Sequence, residues 1–486
     1  MDRMDTLLGV LRGSADVAVV DALRDMLRNG ADGALMRINP LVLAARHDLD
    51  EERTIAGFLH AASIGLFDLS WNVLCPGCGG VLDTSASLKS VVQEEYVCAL
   101  CASGFEPSLD DLVEVTFTVN PGVRRIAAHN PQDLALHDYL RLIYWGSGVD
   151  IDEATYPGLM DQVILDALDL QAGEKGVLSV QMPGAFLILF EPVTHSVQFI
   201  DVKGEPTRER QALSVIYDRD HTLNQTLTMR PGPLRLAVDN RTDVRVLPVL
   251  FVAGDVLHDF LGARRPYLTA KRLLTNQTFR DLWRTDTLDI GQRLRITSLT
   301  FLFTDLRGST ALYERVGDLV AFDLVQAHFA VLQEIVAAET GAVVKTIGDA
   351  VMATFATPDR AVAAALQMRQ AMDALNRKSG RDDLVLKIGL HEGPCIAVAL
   401  NERQDYFGQT VNIAARVQGL ADTQSVFVTG PVVRDARTAR LLDEMHLTAV
   451  PQEVQLRGVT HDVAVFAVGQ PACPDGAKGV GLGCIL

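Results

Sequence analysis

Apolar positions recur along the chain with changing periods, and the changes divide it. From residue 1 to about 70 the spacing is helical. Asp16 is placed to cap a segment whose Val20, Leu23 and Leu27 share one face, and Asn29-Gly30 stops it. Asp48 to Asp50 open a second helix with Ile55, Phe58, Leu59, Ala62 and Leu66 on one stripe. Two short helices before a strand predict a helical, winged-helix-like module over residues 1–70. The second helix begins Asp-Glu-Glu, which suits packing or protein contact better than DNA. Over residues 113–260 short alternating runs, among them VEVTFTV, AFLILFEP and SVQFIDV, fall between Gly, Pro, Asn and Asp. That pattern predicts a β-rich, sandwich-like domain. Residues 261–293 are cationic and predict a helical linker with a solvated face.

From residue 294 to 470 strands and helices mix in an α/β pattern. A strand ends at Asp305, a helix runs from about Leu319 to Glu339, and a hairpin covers Val343–Phe355. Asp359 is expected to cap a helix to about Asn376; strands LVLKIGLHEG and CIAVAL follow, then a helix from Thr410 to about Leu420. Residues 471–486 are Gly-rich and read as a flexible tail. The chain is thus expected to be multidomain α+β.

Length and charge narrow the function. At 486 residues the chain holds about three domains. Net charge is 44 − 61 = −17, which argues against general nucleic-acid binding and against anionic membranes. No apolar run reads as long enough to cross a bilayer, and the start lacks a secretory cleavage pattern. Cys484 lies one place too near the end for prenylation. A cytoplasmic location is expected. Residues 71–112 carry Cys75 and Cys78, then, nineteen residues on, Cys98 and Cys101. Two CxxC turns at this spacing are a zinc-ribbon pattern, with one structural zinc and no coordination position left for water.

Two carboxylates sit at the ends of apolar strands: Asp305 in TFLFTDLRGST and Asp349 in the Gly348-Asp349 turn. Together they suit divalent metal, since magnesium takes one or two carboxylates plus waters and phosphates. Singly, each more often marks an ordinary strand-end or turn position than a functional one. The backbone from Leu306 through Gly308, Ser309 and Thr310 enters a helix whose N–H groups suit a triphosphate. Lys345 lies four residues before Asp349. In DYFGQTVNIAAR, which begins at Asp405, Asn412 and Arg416 are four apart and share a helix face. Asn412 suits a ribose, and Arg416 charge developing on phosphorus. His391 in GLHEG, at the end of an apolar strand, reads as structural.

These stretches resemble the catalytic domain of class III adenylate and guanylate cyclases, a ferredoxin-like α/β fold, over residues 299–468. FTDLRGST is similar to the family's first metal motif, KTIGDAVMA to its second, and DYFGQTVNIAAR to its transition-state segment. The resemblance implies two Mg2+ or Mn2+ ions per site on Asp305 and Asp349, with the Leu306 carbonyl as a further ligand. It implies base selection by Lys345 and Asp405, ribose orientation by Asn412, a transition-state role for Arg416, and a contribution from Arg457 to triphosphate binding. The front half is similar to a regulatory region found ahead of some bacterial cyclases.

Base choice can be argued directly. Adenine offers a donor at N6 and an acceptor at N1, which Asp405 and Lys345 satisfy; guanine mispairs with both. Each mispaired buried group costs about 1–3 kcal/mol, so ATP is the expected substrate. In the family one subunit supplies the metal aspartates and its partner the other four residues, so a homodimer with two shared sites is expected. The implied function is an adenylate cyclase making 3′,5′-cyclic AMP and pyrophosphate under an unidentified regulatory ligand or protein. The alternatives are a guanylate or other nucleotide cyclase, and a silent cyclase fold serving as scaffold or transcriptional regulator.

Overall fold

Local capping sets the first elements. Asp16 accepts a hydrogen bond from the Ala18 amide and begins the helix Val17–Asn29, which Gly30 ends. Asp50 starts Glu51–Ser63 through the Arg53 amide. Two more helices accompany them: Arg3–Leu11, and Pro40–His47, capped by Asn39 with proline at its first turn. The front therefore has four helices where hydrophobic spacing alone pointed to two. A break of one turn hardly disturbs the spacing, and the caps reveal it.

The structure, a computed structural model, describes residues 3–90, 95–218, 226–283, 294–380, 384–400, 403–421, 425–452, 454–456 and 463–469. Arg457 and the tail from 471 lie outside the described residues. The chain divides into two units, one of Met1–Leu274, Thr278–Arg295 and Val398–Gln404, the other of Thr275–Gln277, Ile296–Ala397 and Asp405–Leu486.

In the first unit the strand Phe67–Leu74 pairs antiparallel with Val81–Ser85 on one side and Val113–Val119 on the other. Phe58 of the fourth helix stacks on Phe117 at 4.9 Å and meets Phe67 at 5.3 Å. Packing thus runs straight across residues 70 and 112. Cys75, Cys78 and Cys98 share a buried cluster with Tyr144, Phe190 and Phe251. Farther along, a five-stranded sheet and a three-stranded sheet bury Leu178, Leu189, Ile200, Val215, Leu236 and Leu250 in one core.

The cationic segment is not a solvated linker. Arg272 pairs with Glu51 and Glu52, each at 2.7 Å, Lys271 pairs with Asp110 at 3.1 Å, and the Leu268 carbonyl accepts the Val115 amide at 2.7 Å. Carboxylates far away in sequence draw these cations onto the unit.

The second unit is built on an eight-stranded sheet. Its elements are β1 (Leu294–Leu306), α1 (Ser309–Val316), α2 (Asp318–Ala338), β2 (Ala342–Ile347), β3 (Ala350–Phe355), α3 (Pro358–Ser379), β4 (Leu386–Leu400), β5 (Arg403–Phe407), α4 (Gln409–Leu420), β6 (Val426–Thr429), α5 (Gly430–Arg434), α6 (Ala436–Glu444), β7 (Thr448–Gln452) and β8 (Val465–Gly469). The order is β2-β3-β1-β4-β6-β8-β7, and β5 pairs β4. β1 runs antiparallel to β3, with Thr304 opposite Val351, while β4 and β6 are parallel. The core takes Leu302 from β1, Leu332 from α2, Phe355 from β3, Met368 from α3 and Leu390 from β4. β4 is one strand through Gly393-Pro394 where the pattern suggested two; the fixed φ of proline is compatible with extended backbone. α3 starts at Thr357 with Pro358 in its first turn, so Asp359 lies inside the helix and is not its cap.

α2, with 21 residues, is long and apolar enough to cross a bilayer by length and composition, contrary to the sequence reading. In this fold it buries Ala321, Val325, His328, Leu332 and Val336.

Candidate active site and metal centre

The strand residues Thr300–Thr304 of β1 are fully or almost fully buried, and Asp305 follows them half-buried at the strand end. A carboxylate there is held by the sheet yet reaches solvent. Gly308 turns the chain into α1 at φ +71°, with open space around it, so glycine answers a conformational need and not a steric one. No side chain caps α1, which leaves its first amides to other acceptors. Gly308 and Ser309 stand at that helix start, Leu306 is buried at the end of β1, and Thr310 is the second residue of α1.

Asp349 follows Gly348, whose φ of +64° makes the tight turn between β2 and β3. Its Oδ2 is buried with no hydrogen-bond partner among the described residues. Burial raises the Asp305 carboxyl above its ordinary range, and the Asp349 charge adds to the rise. Lys387, the Gln418 side chain and the Leu306 amide oppose it. Two carboxylates that repel each other, one with an orphaned buried oxygen, are a donor set a divalent cation fits.

Lys345 and Asp405 meet. The Lys345 Nζ donates to Asp405 Oδ2 at 2.6 Å, and Asp405 Oδ1 accepts the Tyr406 amide at 2.9 Å. The lysine is 42% exposed and the carboxylate 8%, so the cation faces solvent from a buried anchor. Tyr406 packs edge-on against Phe301 of β1, with ring centroids 5.5 Å apart.

Asn412 and Arg416 are exposed on α4, whose Ile413, Ala414 and Val417 are buried. Gly389 of β4 permits the close approach, because a Cβ there would fall on the Gln418 backbone nitrogen. Gln418, the residue bonded to Asp305, lies about 200° around the helix from Arg416 and about 240° from Asn412. Asn412 and Arg416 therefore point away from the Asp305 side of their own chain.

His391 is buried, with Nδ1 2.7 Å from the Thr429 hydroxyl, as a structural residue. Sequence reasoning missed three residues beside the carboxylates: Lys387, Gln418 and His328. His328 is fully buried in α2, where its ring meets the Val325 backbone one turn earlier. Burial pulls its pKa down to about 4, against the pull of the Asp349 carboxylate. None of the three stands in a motif; only an apolar helix face carrying one histidine hints at the last.

In the first unit the Sγ atoms of Cys75, Cys78, Cys98 and Cys101 lie within 4.8 Å of one another. The Cys75–Cys101 and Cys78–Cys98 separations are 3.6 and 3.7 Å. Disulfides are far shorter, whereas tetrahedral zinc with about 2.3 Å bonds needs sulfurs about 3.8 Å apart. The four thiols fit that ion.

Residues 292–469 match the family described as adenylate and guanylate cyclase catalytic domain, and residues 1–281 match the family of unknown function DUF5939. The chain belongs to the DUF5939 family and carries a class III nucleotide cyclase catalytic domain behind that region. Among relatives, an adenylate cyclase of Anabaena cylindrica is 28% identical over 185 residues, covering 35% of this chain and 36% of that protein. A pH-sensitive adenylate cyclase of Mycobacterium tuberculosis is 27% identical over 258 residues, covering 52% of this chain and 58% of that protein. The matches thus span about a third to three-fifths of these relatives. The crystal structure of the adenylyl cyclase CyaB from P. aeruginosa has 22% identity and a TM-score of 0.33, covering 39% of this chain and all of that one.

Proposed function

We propose that this protein is an adenylate cyclase that acts as a homodimer with two shared sites, in the cytoplasm, under control of its front half. The observation that carries the choice of ATP is the Lys345–Asp405 pair, 2.6 Å apart. With Asp405 facing the 6-position and Lys345 facing N1 the pair complements adenine, whereas guanine placed the same way sets O6 against the carboxylate and N1–H against the ammonium.

In this reading Asp305 and Asp349 hold two Mg2+ or Mn2+ ions, with help from the Leu306 carbonyl. When bound, such ions make the ribose 3′ hydroxyl more acidic and neutralise the leaving phosphates. The uncapped start of α1, from Gly308 through Ser309 and Thr310, holds triphosphate oxygens. Asn412 orients the ribose and Arg416 meets the charge developing at the α-phosphorus. A bond forms from the 3′ oxygen to that phosphorus, the bond to the β-phosphate oxygen breaks, and the hydroxyl proton leaves to solvent. The products are 3′,5′-cyclic AMP and pyrophosphate.

The outward direction of Asn412 and Arg416 supports a site completed by a second copy. So do the large apolar side chains this unit exposes: Leu319 at 84%, Phe322 at 55% and Phe407 at 56%. Structural zinc on the four cysteines anchors the ribbon to the buried cluster around Tyr144.

The test is product formation by the purified chain with ATP or GTP and Mg2+ or Mn2+. Cyclic AMP from ATP, at least tenfold faster than cyclic GMP from GTP at equal concentration, is expected. Equal rates would remove the base assignment, and no cyclic product from either would remove the enzyme reading.

A further inference from the structure

The first unit contains a cavity of about 480 Å³, within the range of small-molecule sites. Its wall brings together Arg37, Arg46, Arg141 and Arg265 against two carboxylates, Asp152 and Glu153. Most of these charges are already engaged. Arg141 is paired with Glu153 at 2.7 Å and Asp138 at 3.1 Å. The Asp152 carboxylate accepts from the Ala154 amide and the Thr155 hydroxyl in its own turn. Arg37 donates to Thr84 Oγ1 at 2.9 Å and to the Ile143 carbonyl, and the charge of buried Glu114 supports it.

Two guanidiniums are less fully engaged. Arg265 spends its Nε on the Ser147 carbonyl at 2.8 Å and makes one long ion pair, to Asp150 at 3.7 Å. Arg46, near the end of its helix, forms no ion pair with a described residue and is exposed. Burial holds the Arg265 pKa below its ordinary value; Asp150 and Glu114 oppose that and the Arg46 charge adds to it. The rest of the wall is apolar, with Met36, Val42, Leu43 and Trp145. Backbone strain marks the same place: Arg37 sits at φ +46°, a conformation non-glycine residues adopt only when their surroundings force it.

We propose that this cavity binds a small organic anion, its acidic group between Arg46 and Arg265 and its apolar body on the wall of Met36, Val42, Leu43 and Trp145. One unpaired and one loosely paired guanidinium beside an apolar wall suit a singly charged carboxylate, sulfonate or phosphate ester, and not a polyphosphate. The site lies wholly within the first unit and needs no cyclase activity to operate.

The probe is 8-anilinonaphthalene-1-sulfonate, followed by fluorescence on the full chain, beside uncharged N-phenyl-1-naphthylamine of similar shape. Saturable sulfonate binding is expected, at least tenfold tighter than the neutral compound. Arg46→Glu should weaken the sulfonate at least tenfold and leave the neutral compound unchanged, and Arg46→Lys should recover most of the loss. Arg265→Gln should weaken it as well; if that variant unfolds by circular dichroism, the exposed Arg46 decides. Sulfonate affinity unchanged in folded Arg46→Glu, or equal affinity for the two compounds, would overturn the proposal.

Discussion

The ammonium of Lys345 and the carboxylate of Asp405 lie 2.6 Å apart, although sixty positions separate them in the chain. Asp405 is buried, so its direction is set by the fold, and Lys345 is set by Asp405. Lys345→Glu replaces the donor with a second acceptor. The ratio of kcat/KM for ATP to that for GTP should fall at least tenfold, the effect of one mispaired buried contact. Steady-state assays with both nucleotides measure it; an unchanged ratio would count against these two residues reading the base.

Asp349 carries a buried oxygen without a partner, next to a carboxylate it repels. The Asp305 pKa is raised in the folded state, so ionisation of this acid opposes folding at neutral pH, and the penalty fades as pH falls through the folded pKa. A divalent cation removes the same penalty without a pH change. Mg2+ or Mn2+ should therefore raise the melting temperature of the wild type and not that of Asp349→Asn. Without cation the variant should be no less stable than the wild type, while its cyclase rate falls at least a hundredfold. A cation-induced rise that persists in the variant would remove Asp349 from the metal site.

His328 is fully buried with a pKa near 4, below the unfolded value of 6.5. The unfolded chain thus binds the proton first as pH drops, and stability is lost on the acid side, between about pH 6.5 and 4. From pH 7.5 to 5.0 the loss from this residue is about 2 kcal/mol. His328→Phe should remove that part of the acid sensitivity, seen in urea unfolding at the two pH values. A variant that loses as much stability as the wild type would show that the imidazole titrates normally.

Shared sites can be tested by mixing two dead variants. On the proposed reading Asp349→Ala removes a metal ligand and Arg416→Ala the transition-state cation, so each variant alone should be inactive. Random re-pairing at equal amounts gives half heterodimers, each with one intact site of two. Activity should recover to about a quarter of the wild type. No recovery, with exchange confirmed by mass spectrometry, would mean that each chain completes its own site.

The four thiols lie close enough together to hold one metal ion, and the proposed ion is zinc. Purified protein should carry about one zinc per chain by elemental analysis, and Cys98→Ser should carry at least fivefold less. Because the cysteines share a core with Tyr144 and Phe190, the variant should also melt earlier. Full stability in a zinc-free chain would leave the cysteines without that structural role.

Much of the architecture could be read before any contact was known. Asp16, Asp50 and Gly30 act within a few residues of themselves, and all three do what their local chemistry predicts. The hairpin around Gly348 and the helix after Gly408 fall within a residue or so of the expected limits. Other parts were not legible. The cations near residue 270 read as a solvated face because nothing in their neighbourhood opposes them; Glu51 and Glu52, some 220 positions away, do so in space. α2 does not read as one long apolar run because Asp323 and Glu334 interrupt it, leaving ten residues between them.

What the sequence determined by itself is the set of parts whose physics is short-range: two CxxC turns, a strand that stops at Asp305, glycines where the backbone needs positive φ, and two polar residues one helical turn apart. Only the tertiary structure decided which charges meet. It set Lys387, Gln418 and His328 around the carboxylates, joined Lys345 to Asp405, and gathered four arginines from positions 37 to 265 around one cavity. The reason is that desolvation and Coulomb energy depend on distance in space and on what excludes water, and neither quantity is a property of neighbours along the chain.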